Sequence, residues 1–76
     1  MQFVVLGFGG RSPASVPVAP PEAATTVWDG ELTPGALVDG LSSVALVEAR
    51  DLDAVTQSLR GLAGAFEVRP TLEVIV

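Results

Sequence analysis

The clearest hydrophobic patterning lies between Ser43 and Val76. Ser43–Ala49 is apolar and β-branched, Asp51–Ala63 has helical spacing, and Ala65–Val76 alternates, so the stretch reads strand, helix, strand. Leu52, Val55, Leu59 and Leu62 fall at i, i+3, i+7 and i+10, one face at 3.6 residues per turn; Asp53, Gln57 and Arg60 take the other faces. Asp51 stands where an N-cap belongs, Asp53 adds negative charge to the first turn, and Gly64 is placed to end the helix. In the last strand Phe66, Val68, Pro70, Leu72, Val74 and Val76 alternate with Glu67, Arg69, Thr71, Glu73 and Ile75. That period of two predicts one dry face, turned to the helix, and one polar face. Pro70 cannot donate to a ladder, which puts this strand at an edge or bends it.

Gln2–Phe8 is apolar on both faces, with Phe3 and Val5 on one and Val4 and Leu6 on the other, the pattern of a central strand covered on both sides. Gly7, Gly9 and Gly10 follow, but a phosphate loop needs a helix next, and Arg11-Ser12-Pro13-Ala14-Ser15-Val16-Pro17 is not helical. The glycines therefore read as a flexible exit. Gly9–Pro21, with four prolines, is expected to be extended, close to polyproline II, and long enough to cross a small sheet end to end, so that the chain returns to start another strand without a helix. Ala24–Thr33 reads as a hairpin turning at Asp29-Gly30, with Pro21–Ala24 as an alternative short helix. Pro34-Gly35 and Asp39-Gly40 mark turns, with at most a short strand at Ala36-Leu37-Val38 between them. The strand order implied is a split βαβ with the first strand between the Ser43–Ala49 strand and the last. The fold class is α+β, a mostly antiparallel sheet with one main helix. One helix cannot cover a four- or five-stranded sheet, so a second apolar face is left for another subunit.

Composition strengthens that expectation. The chain has 76 residues, enough for one domain, of which 49% are hydrophobic and only 17% charged. That is more apolar side chain than so small a body can hide, which points to a second copy, as a homodimer or a larger homo-oligomer. Four arginines, no lysine and a net charge of −5 argue against nucleic acid, whose phosphates need a basic face. No apolar run approaches a membrane span, and Phe3–Gly10 lacks the positive flank of a signal peptide, so a cytoplasmic location is expected.

Several segments resemble YCII-related proteins, in the branch marked by an Asp-Gly-Pro-Phe motif. They are Ala19-Pro20-Pro21 followed by Ala24-Thr25-Thr26-Val27 and Asp29-Gly30, the junction Val47-Glu48-Ala49-Arg50-Asp51-Leu52-Asp53-Ala54, and the closing Gly64-Ala65-Phe66-Glu67-Val68-Arg69-Pro70. The resemblance implies a ferredoxin-like fold pairing into a dimeric α+β barrel. It also marks this chain as a reduced member: the first helix is replaced by the proline-rich segment, and the signature loop and the family's histidine have no counterpart.

With no His, Cys, Lys or Tyr, acid–base chemistry would fall to carboxylates with arginine as partner, and neither a metal site nor a cofactor is expected. The catalytic candidates are Glu67 and Arg69 on the polar face of the last strand, Glu48 at the end of the preceding strand, and Asp39 beside Gly40. Trp28 and Arg69 are the candidates for binding a ligand, and Arg11 and Ser12 for a lid. Each has a plainer role: a surface ion pair for Glu67 and Arg69, a strand end for Glu48, a turn for Asp39, interface packing for Trp28. Two readings follow. One is a small cofactor-free enzyme, a lyase, isomerase or cyclase of the kind used in specialised metabolism, acting on an apolar small molecule. The other is a non-catalytic small-molecule-binding or assembly module that self-associates through its sheet. A carboxylate held in an apolar pocket favours the first, and carboxylates standing in water favour the second.

Overall fold

The computed structural model describes residues 1–72. Its elements run β1 (Gln2–Phe8), β2 (Val16–Pro17), β3 (Thr25–Trp28), β4 (Glu31–Pro34), β5 (Leu41–Glu48), α1 (Leu52–Leu59) and β6 (Ala65–Pro70), with a single 3-10 turn at Pro21–Ala23. The larger sheet has the order β2-β5-β1-β6, and every neighbouring pair is antiparallel. β1 therefore lies between β5 and β6, as the patterning predicts, and β5-α1-β6 is a split βαβ unit. The molecule is α+β, and its strand order is compatible with a ferredoxin-like plan. β2 is cut to two residues, and a tight turn over residues 9–15 stands where that plan has its first helix.

The register decides which side chains share a face. Phe3, Val5 and Gly7 lie opposite Val47, Ala45 and Ser43 on β5, and opposite Pro70, Val68 and Phe66 on β6. Helix α1 lies over this face. Phe3, Val5, Ala45 and Val55 are buried there, with Val47, Ala49, Leu59, Phe66 and Val68 packed around them. The even positions of β6 thus face the helix as the alternation predicts, and Pro70 falls on an edge strand. Leu72 is 91% exposed and outside the strand, and the continuation expected over Glu73, Val74, Ile75 and Val76 lies outside the described residues.

The helix is shorter than its pattern. Asp51 caps it, its carboxylate accepting the Ala54 N–H at 2.9 Å, but regular turns end at Leu59, where the Leu62 N–H closes a last turn onto the Leu59 carbonyl. Eight residues span only about 12 Å, so just Val55 and Leu59 of the four-residue stripe reach the sheet. Leu52 and Leu62 are exposed, contrary to the expected face.

Gly64 does not end the helix. It opens β6 with φ +92°, and a Cβ there would lie 2.6 Å from the Gly10 nitrogen. The chain leaving β1 thus crosses the chain starting β6 backbone against backbone. The glycines after β1 serve this crossing, rather than a flexible exit or a phosphate loop. Nor is the following segment an open lid: Ser12 and Ser15 are buried, the Ser15 hydroxyl donates to the Ser12 carbonyl at 2.7 Å, and the Arg11 guanidinium reaches the Ser15 carbonyl.

β3 and β4 pair as predicted through Asp29-Gly30, both in the left-handed region with φ of 48° and 81°, the signature of a type I′ turn. The alternative helix at Pro21 survives as the 3-10 turn, and Ala36-Leu37-Val38 forms no strand. The hairpin is a separate two-stranded sheet. The chain measures 39 × 37 × 15 Å, about one sheet and one helix deep, so the hairpin lies beside the main sheet as an arm. Its radius of gyration of 14.2 Å exceeds the roughly 11 Å of a compact chain of this length. β1 is covered on one face only, not on both as its sequence suggests.

Two consequences can be measured by urea unfolding at fixed protein concentration. Leu59→Ala should cost about 2 kcal/mol and Leu52→Ala less than about 0.5 kcal/mol, although the two are equivalent in the sequence pattern. Gly64→Ala should cost more than about 2 kcal/mol, whereas Gly61→Ala, with open space around its Cβ position, should stay within about 1 kcal/mol of neutral.

Candidate functional site

The second face of the main sheet carries the residues that alternate with the core. One cross-strand row runs Val16, Val44, Leu6, Glu67, and the next runs Leu46, Val4, Arg69. Phe8 lies at one end of this face, and Gln2 with Glu48 at the other. The face is apolar and no described element packs over it: Leu46 is 65% and Val16, on the edge strand, 66% exposed, while Val4, Leu6 and Val44 are half-buried. Strand pairing brings these residues together because two-residue periodicity points every second side chain the same way.

Three of the four catalytic candidates share this face without converging. Arg69 Nε donates to Glu67 Oε2 at 2.6 Å, an ion pair at the sheet edge with both partners substantially exposed. Glu48 is separated from Arg69 by β1 and by one further row, about 12 Å between backbones. It accepts a hydrogen bond from the Met1 ammonium at 3.2 Å and is otherwise in water. Asp39 is elsewhere, in the exposed turn before β5. Among the described residues no three carboxylates gather into a metal-binding group.

Trp28 is at the arm's tip, 62% exposed, on the same hairpin face as Thr26, Glu31 and Thr33. It borders a shallow depression of about 290 Å³ shared with Leu37, rather than a closed apolar pocket. A second concavity of about 250 Å³ lies where the arm joins the sheet, lined by Val18, Pro20, Pro21, Ala24, Val38 and Leu41. None of Glu48, Glu67, Arg69 or Asp39 lines it. The sequence pattern gave no sign of this hollow, because its walls come from the aperiodic proline-rich segment and the loop before β5. No helix among the described residues is long and apolar enough to cross a membrane.

Comparison with family models, with curated proteins and with solved structures finds no match. The likeness to YCII-related proteins rests on the local motifs alone.

The exposure of the Glu67–Arg69 pair sets its worth. Arg69→Ala should change unfolding free energy by less than about 1 kcal/mol, as measured by urea titration, and the difference should shrink further in high salt.

Proposed function

We propose that this chain is a non-catalytic assembly module that associates with a second copy through the open face of its main sheet. The observation that carries this reading is the apolar second face of the sheet, where Val16 and Leu46 are exposed and Val4, Leu6, Phe8 and Val44 beside them are half-buried with no element packed over them. A contiguous apolar patch of this kind is rare on a monomer, and each large side chain removed from water contributes about 1.5–3 kcal/mol. Two copies with their open faces turned inward would have the helices outside and the sheets inside, the arrangement of a dimeric α+β barrel. The Glu67–Arg69 pair and Glu48 would then form a polar rim, the usual surround of a buried apolar interface.

The enzymatic reading draws less support. It asks for a carboxylate held against an apolar hollow, whereas the candidate carboxylates stand in water at the margins of the open face or in a turn.

Native mass spectrometry of the protein purified from its own host, with light scattering, tests both readings. The expected result is a homodimer that carries no small molecule, and that Leu46→Glu converts to a monomer with its fold intact by circular dichroism. A folded wild-type monomer overturns the proposal. A reproducibly retained small-molecule mass favours the binding or enzymatic reading instead.

A further inference from the structure

Among the described residues the arm formed by β3 and β4 pairs with no other strand. Val27 and Leu32 pair across the hairpin on one face and are 63% and 74% exposed; Trp28, at the tip on the other face, is 62% exposed. An isolated two-stranded ribbon is marginal in water, and this one forms a sheet separate from the main one. The shallow depth of the molecule shows that the arm does not fold back over its own open face.

Two quantities choose the occupant. The chain exposes 5755 Å², whereas a folded monomer of 7.8 kDa exposes about 4,400 Å² by the usual mass scaling. The excess of roughly 1,400 Å² is more than the roughly 800 Å² each partner buries in a standard stable interface. Charge bears on which surfaces meet. The hairpin itself carries Asp29 and Glu31 with no cation. Arm against arm would set two carboxylates against two more with no counter-charge between them. Arm against open face brings them to a surface that carries a cation, Arg69, alongside Glu67 and Glu48.

We infer that the arm is exchanged between copies: the hairpin of each chain lies over the open sheet face of its partner, with Val27 and Leu32 against Leu6 and Leu46. The contact is reciprocal about a two-fold axis, so each copy supplies one arm and one face. This rests on the proposed self-association and names the segment that fills the space between the two sheets.

The test is an isotope-filtered nuclear Overhauser experiment on a mixture of labelled and unlabelled full-length chains, with the mass in solution measured on the same sample. A dimer with cross-peaks between copies from Val27 and Leu32 to Leu6 and Leu46 is expected. Leu32→Glu, at a site 74% exposed in the single chain, should weaken the dimer tenfold or more while the arm's hairpin shifts persist. A dimer whose intercopy cross-peaks join face to face and omit the arm overturns the exchange and leaves self-association standing. A Leu32→Glu protein that dimerises like wild type also overturns it. A folded monomer overturns both.

Discussion

One short helix covers one face of a four-stranded sheet, and the rest of the molecule follows from that imbalance. Val55 and Leu59 close a core centred on Phe3, Val5 and Ala45. With only four hydrophobic residues buried among those described, the core stabilises a chain of this size weakly. The opposite face repeats the same apolar chemistry in Val4, Leu6, Val44 and Leu46 with no layer above it. The proposed self-association and the proposed arm exchange both answer this single deficit of cover.

The backbone crossing between Gly10 and Gly64 holds the imbalance in place. It fixes the end of β1 against the start of β6, so the helix must return across the sheet within a few residues of Leu59. A longer helix would cover more of the sheet but would carry the chain past this crossing. The turn that follows β1 buries Ser12 and Ser15, the Ser15 hydroxyl donating to the Ser12 carbonyl, and leads directly to β2 and the arm. The segment that could have formed a second helix therefore becomes a turn, a strand stub and a projecting ribbon.

Side-chain alternation and turn chemistry were enough to read β1, β5 and β6, the split βαβ order, the Asp51 cap and the Asp29-Gly30 hairpin. These depend on contacts close in sequence or on a strict two-residue period. The grouping of Glu48, Glu67 and Arg69 on one face follows from the same period once the strands are paired. Their separation by β1 does not, because distance across a sheet is set by strand order and register.

What local pattern left open was decided by contacts distant in the chain. Leu52 and Leu62 carry the same helical signal as Val55 and Leu59, yet only packing against β1 and β5 shows which of them is buried. Gly64 looks like a helix terminator until Gly10 is placed against it. The hollow at the arm's base joins Val18 to Leu41 across loops that have no periodicity to read. Local free-energy preferences, which act over a few residues, determined the elements and their faces. Which faces are covered depended on the length of the helix and the course of the chain between strands, and those are properties of the whole fold.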